Sequence, residues 1–145
     1  MEILIDAKNS VVGRIAGFAA KKALQGNKVV IVNSEKALIT GDPKKILTRY
    51  LEKTRLGHIV QKGPNLPRRS EMILKRIIRG MLPYKKAKGK EAYKNIKCIL
   101  GVPEKYVKAE KLTFNKIIKT KSITLEKLSK IIRQKWKQKN QEKRK

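Results

Sequence analysis

At 145 residues, 40% of them hydrophobic, the chain carries enough apolar material for one compact domain with its own core. Its 38 Lys and Arg against 11 Asp and Glu give a formal net charge of +27, which excludes a protein at ease without a polyanionic partner, because like charges packed so densely repel one another. A single cysteine, Cys98, and a single histidine, His58, exclude an internal disulfide and a Cys/His zinc cluster.

No leader pattern is present and no apolar run approaches 18 residues, so neither secretion nor membrane spanning is expected. A reduced, cytoplasmic setting without metal or cofactor follows as the expectation. The excess charge is +5 over residues 1–50 and +11 over each of 51–100 and 101–145. A membrane surface would ask for a basic amphipathic helix or a polybasic tail rather than cations spread through the chain, so nucleic acid is the expected partner.

In chain order, EILID (2–6) reads as a short strand and KVVIVN (28–33) as a β-branched strand suited to burial in a parallel sheet. Between them Asn9 or Ser10 caps a helix that gathers Val11, Val12, Ile15, Phe18 and Ala19 on one side and stops at Gly26, a βαβ unit. ALIT (37–40) reads as a third strand, and Gly41, Asp42 and Pro43 announce a helix to about Lys53 with Ile46, Leu47, Tyr50 and Leu51 together. Residues 54–69 read as a long loop broken by Gly57, Gly63, Pro64 and Pro67.

Ser70 is placed to cap a helix with Ile73, Leu74, Ile77, Ile78 and Met81 in one apolar stripe, leaving Arg68, Arg69, Lys75, Arg76 and Arg79 on the opposite side. A further helix over about Lys90–Lys97 leads into CILGV as a fourth strand. Residues 104–121 show no period. Thr124 caps a last helix bearing Leu125, Leu128, Ile131, Ile132 and Trp136, and QKNQEKRK reads as a charged, fraying tail.

The stretch RIIRGMLPYKKAKGKEAYKN (76–95) holds seven cations and one Glu where a helix stops at Gly80, and residues 53–97 hold 14 cations against Glu71 and Glu91. Solvated charge is one reading. A solvated helix, however, interleaves carboxylates at i,i+4, and none are interleaved here. Phosphate is the natural complement: Arg binds it bidentately, Lys as a point charge, and a flexible loop containing Gly89 would follow an irregular surface. With aromatics at only 5%, recognition of shape and phosphate is favoured over base reading. In the first helix Gly13 and Gly17 share a side with Arg14 and Lys21, and two interior glycines cost about 2 kcal/mol relative to alanine, so close approach of either a protein segment or a nucleic-acid backbone is expected there.

An enzyme reading has little to rest on. The first strand-to-helix turn is DAKNSV, without the glycines of a dinucleotide fingerprint, and Gly41 is followed by DPKK rather than by a phosphate loop. Asp6 and Asp42 are explained by turn and cap roles, and His58 by a polar loop position.

The runs DAKNSVVGRIAGFAAKKALQG, KVVIVNSEKALITG and IRGMLPYKKAKGKEAYKNIKCILG together resemble the universal large-subunit ribosomal protein L-thirteen family, nearer its archaeal and eukaryotic branch. The resemblance covers residues 3–103 and is most specific at RGMLP (79–83), with the basic loop, helix and short strand after it; Cys98 and Ile99 depart from the family's small aliphatic followed by an aromatic. It implies an α/β fold: a single three-layer α/β/α domain with a short, mainly parallel four-stranded sheet covered by helices on both faces. Residues 1–103 would form the ribosomal-RNA-binding part and 104–145 a basic helical extension packed on the same domain.

It further implies a non-catalytic structural and assembly component of the large ribosomal subunit, partnered by ribosomal RNA and neighbouring ribosomal proteins, with no membrane and no homo-oligomer. Arg14, Arg79, Lys85, Lys86, Lys88 and Lys90 match basic positions around the family's motifs. With Lys21, Arg68, Arg69, Lys75, Arg76 and Lys94 they make up the expected RNA-binding set. The rivals are a free-standing nucleic-acid-binding regulator and a nucleotide-dependent enzyme.

Overall fold

A computed structural model describes residues 1–55, 66–114 and 119–142. His58 and most of the expected 54–69 loop lie outside the described residues. Strand β1 (Glu2–Asp6) is followed by α1 (Val12–Leu24) and β2 (Lys28–Val32), and the strands pair in parallel register with Ile3 beside Val29 and Ile5 beside Ile31, the expected βαβ unit. β4 (Ile96–Cys98) adds to β2 and β5 (Leu112–Thr113) to β1, both parallel, giving the order β4-β2-β1-β5. β3 (Leu38–Thr40) forms as expected but outside this sheet, in an antiparallel ribbon with β6 (Ser122–Thr124). The remaining helices are α2 (Pro43–Arg55), α3 (Ser70–Gly80), α4 (Ala87–Lys94) and α5 (Leu125–Glu142).

The two-residue period of the strands sorts the core. Ile5, Val29, Ile31 and Ile96 point to the face on which the α-helices pack, meeting Ile15, Ile73, Leu74, Ile78, Leu128 and Ile132. Each such side chain contributes roughly 1.5–3 kcal/mol by leaving water. Leu4, Val30 and Val32 point to the other face, which Ile99, Val102 and Tyr106 cover from a segment with one 3-10 turn, Glu104–Tyr106. α1 buries Ala16, Ala19, Ala20 and Ala23, a small-residue surface that lets it lie close to α3 and α4. Among the described residues no helix is long and apolar enough to cross a membrane.

Helix ends follow local chemistry, with exceptions. Gly26, at φ +88°, closes α1: its N–H bonds the Ala23 carbonyl and the Asn27 N–H that of Lys22, both pairs of a Schellman motif. Asp42 Oδ1 accepts from the Lys44 N–H at 3.1 Å, capping α2 with Pro43 at its first position, and Thr124 Oγ1 accepts from the Lys127 N–H at the start of α5. Asp42→Ala is expected to lower stability by about 1 kcal/mol in urea unfolding, with RNA affinity unchanged.

Asn9 and Ser10 are not caps. Val11 holds that position without a side-chain bond, because Asn9 sits at φ +54° and Ser10 is buried, with its carbonyl accepting the Leu38 N–H and its hydroxyl donating to the Lys8 carbonyl. Ser70 likewise is the first residue inside α3, with Arg69 at the cap and no side-chain cap bond. Met81 leaves the expected stripe and is exposed; Leu82 is buried instead, because the chain turns at Gly80. α5 runs through Glu142, so the start of the expected tail is helical, and residues 143–145 lie outside the described residues.

The largest correction concerns Gly89. α4 begins at Ala87, three residues earlier than expected, and β4 begins at Ile96, so Gly89 is a buried helix residue and not part of a flexible loop. A Cβ placed on it would lie 2.1 Å from the Pro83 carbonyl oxygen and 2.9 Å from the Tyr84 nitrogen. The 81–86 segment is a run of tight turns tied by Leu82 N–H to Arg79 O, Tyr84 N–H to Leu82 O and Lys86 N–H to Pro83 O. Only glycine permits α4 to rest against it.

Candidate nucleic-acid interface

Because α3 commits its apolar stripe to the sheet, its other side must carry the charge. Lys75 and Arg79 are half-buried there, each held by an aromatic ring: the Lys75 Nζ lies 4.9 Å from the Tyr93 ring centre and the Arg79 guanidinium 5.0 Å from that of Tyr84. The rigid turn then presents Lys85 and Lys86, and α4 presents Lys88, Lys90 and Lys94, all exposed. With Arg76, eight of the expected residues thus belong to one α3–turn–α4 unit. Arg76, also half-buried on α3, lies beside Tyr50 and Lys53 of α2.

Arg14 and Lys21 are exposed on α1, the helix packed against both α3 and α4. Beside them Gly13 and Gly17 are also exposed, and a Cβ on either would meet nothing within 4 Å. The expected close approach of a protein segment is therefore not made among the described residues.

Arg68 and Arg69 stand apart, at the joint of α3 with α5. The Arg68 guanidinium lies 4.1 Å from the Trp136 ring centre, and its carbonyl accepts the Ser129 hydroxyl at 2.6 Å. Burial holds its pKa below the usual arginine value, and its Nε is buried without a hydrogen-bond partner among the described residues. Arg69 pairs with Glu71, a buried carboxylate that the sequence reading missed. Its position in the first turn of α3, beside the apolar stripe, was the available signal.

Two ion pairs form between described residues, Arg69 with Glu71 and Lys130 with Glu126, the Lys130 bond and charge holding the Glu126 carboxyl below its ordinary value. None of the five lysines from Lys85 to Lys94 has a carboxylate partner among the described residues. In a helix stabilised by its own surface charge such partners would be present. The arrangement can therefore neutralise an external polyanion at several points spaced along one rigid unit.

At the carboxyl ends of the strands, where parallel sheets usually hold a nucleotide, the polar side chains bond within the chain. There Asp6 Oδ1 accepts from Asn33 Nδ2 at 2.9 Å and from the Lys8 N–H, while the Glu35 carboxylate accepts the Gly101 N–H. Asp6 and Asp42 are turn and cap residues, as their contexts suggested. Burial, with a smaller push from the Glu71 charge and against the opposing charge of Lys75, raises the Cys98 thiol to about 12, so it stays protonated and poorly nucleophilic at neutral pH.

Known proteins are similar to this chain in sequence. The family model of ribosomal protein L13 matches residues 1–105. The large ribosomal subunit protein uL13 of Methanocaldococcus jannaschii is 43% identical over 130 residues, covering 88% of this chain and 94% of that protein. Its counterpart in Archaeoglobus fulgidus is 41% identical over 135 residues, covering 89% and 86%. That of Thermoplasma volcanium is 42% identical over 132 residues, covering 88% and 95%. A parallel α/β domain with a cation-rich α3–turn–α4 unit, matched over most of its length by these relatives, belongs to the ribosomal protein L13 family.

Proposed function

We propose that this chain is a structural constituent of the large ribosomal subunit in the cytoplasm, that it binds ribosomal RNA through phosphate contacts, and that it supports subunit assembly. The observation that carries this reading is the α3–turn–α4 unit, whose lysines have no carboxylate partner among the described residues and whose Gly89 contact makes it stiff. Stiffness matters because cations held in place lose little entropy on binding. α4 also starts without a side-chain cap, so the positive end of the helix adds to the field of Lys85, Lys86, Lys88 and Lys90. The relatives, named as large ribosomal subunit proteins, support the same setting.

In this reading residues 1–103 supply the main RNA-binding part and 104–145 a basic extension on the same domain, with neighbouring ribosomal proteins as further partners and no catalysis, membrane or self-association required. If about ten phosphates are neutralised, log affinity for large-subunit ribosomal RNA falls against log salt with a slope of about −7 to −9. Filter binding across a salt series measures this, and a slope near −2 would overturn the multi-point clamp. A free-standing regulator would instead prefer short nucleic acids and stay off large subunits in a sucrose gradient.

A further inference from the structure

Among the described residues two aromatic side chains are exposed, Tyr84 at 42% and Trp136 at 41%, while Phe18, Tyr50, Tyr93, Tyr106 and Phe114 are partly buried and pack against the core. Trp136 belongs to the joint of α3 with α5, where it holds Arg68. Tyr84 lies inside the cation-rich unit, in the turn between α3 and α4, with the Arg79 guanidinium 5.0 Å from its ring centre and Lys85 and Lys86 directly after it. The phosphate contacts proposed above give this ring no role.

Its backbone is held from two sides. The Tyr84 N–H bonds the carbonyl of the buried Leu82 at 2.8 Å, and α4 closes on the turn so tightly that a Cβ on Gly89 would lie 2.9 Å from the Tyr84 nitrogen. A tyrosine on such a backbone has only two side-chain torsions left to order when something binds it. The ring is thus a nearly preformed flat surface among cations.

Resting on the ribosomal reading, we propose that Tyr84 is a stacking platform for one unpaired base of the bound RNA, with Arg79 against the ring and Lys85 and Lys86 at the flanking phosphates. The cations select the occupant. A nucleotide whose phosphates are drawn to Lys85 and Lys86 brings its base to the adjoining ring, and arginine beside an aromatic strengthens such a stack. An apolar protein segment would cover the ring equally well, but it offers nothing to the field of Lys85, Lys86, Lys88 and Lys90, which attracts a polyanion. Every base has a π face, so the platform adds grip without reading sequence.

Tyr84→Leu keeps every charge and much of the apolar bulk but removes the π face. Its affinity for purified large-subunit ribosomal RNA is expected to fall about tenfold with the salt slope unchanged, while Tyr84→Phe binds within about twofold of the parent chain. On a fully paired RNA duplex, which has no free base to offer, Tyr84→Leu should bind as the parent does. Its melting temperature should move by no more than about 5 °C, since one exposed contact between a cation and a ring is lost.

Equal affinity of Tyr84→Leu and the parent for ribosomal RNA would overturn the platform and leave the phosphate reading intact. An equal loss on the duplex, or a slope shallower by about 0.9, would mean that Tyr84 only positions Arg79, and would overturn it too. So would a Tyr84→Phe loss as large as that of Tyr84→Leu, which would assign the contact to the hydroxyl. Failure of the parent chain itself to bind with a steep slope would instead remove the reading on which the platform rests. A photoreactive benzoylphenylalanine in place of Tyr84 identifies the occupant in assembled subunits: a cross-link to RNA is expected, and one to a protein neighbour alone, or none, would overturn the proposal.

Discussion

Replacing Lys85, Lys86, Lys88 and Lys90 together by Gln is expected to weaken binding to large-subunit ribosomal RNA by about two to three orders of magnitude near 0.15 M salt, since each neutralised phosphate contributes about 0.7–0.9 to the salt slope. The slope itself should become shallower by about 3. Stability should hardly change: all four side chains are exposed, and none has a carboxylate partner among the described residues. If anything the variant should gain a little stability through relief of self-repulsion. Affinity and slope both unchanged would mean that these lysines are merely solvated, and the interface would have to be sought elsewhere on the molecule.

Substitution of Gly89 by alanine is expected to destabilise the protein by about 3 kcal/mol, lowering the melting temperature by roughly 10 °C. Helix propensity alone favours alanine by about 1 kcal/mol, so the sign depends on what the new methyl meets. It meets backbone: the added Cβ would lie 2.1 Å from the Pro83 carbonyl oxygen and 2.3 Å from its carbon. Relief requires the turn to move as a body, which disturbs the Lys86 N–H to Pro83 O bond and the buried seat of Leu82.

Gly80, three residues before Pro83, is the control. A Cβ there meets nothing within 4 Å, so Gly80→Ala should stabilise by up to about 1 kcal/mol. Thermal unfolding of the two variants checks both signs, and a Gly89→Ala protein as stable as its parent would refute the close packing of α4 on the turn.

Much of the scaffold was legible because its signals are local. The βαβ unit follows from a β-branched run, an apolar helical period and Gly26, all readable within a few residues. The caps at Asp42 and Thr124 follow from single side chains beside proline or an apolar run. The charge reading was legible for a different reason: a net +27 is a property of composition and survives any arrangement of the chain.

Where the reading missed, a distant segment had intervened. Ser10 and Ser70 have capping chemistry, but Ser10 is bound into a bridge with Leu38 and Ser70 is drawn inside its helix. β5 and β6 are only two and three residues long, too short to show a period, and they exist because β1 and β3 offer edges to pair with. Of the candidate site, the eight expected cations of the α3–turn–α4 unit were marked out by their crowding, and Arg79, Lys85, Lys86, Lys88 and Lys90 also by the family resemblance. The withdrawal of Arg68 to Trp136 and the pairing of Arg69 with Glu71 depend on where α5 docks, which neither local spacing nor charge reports.

The sequence by itself determined that this is a strongly basic α/β protein, because composition and short-range periodicity act on the chain without reference to its neighbours. Only the tertiary structure decided that Gly89 is a packing contact and not a hinge, that α2 brings Arg49, Tyr50 and Lys53 to a groove with α1 and α3, and which cations remain outside the core. These depend on excluded volume and on contacts between residues far apart in the chain, which exist only once the helices have packed on the sheet.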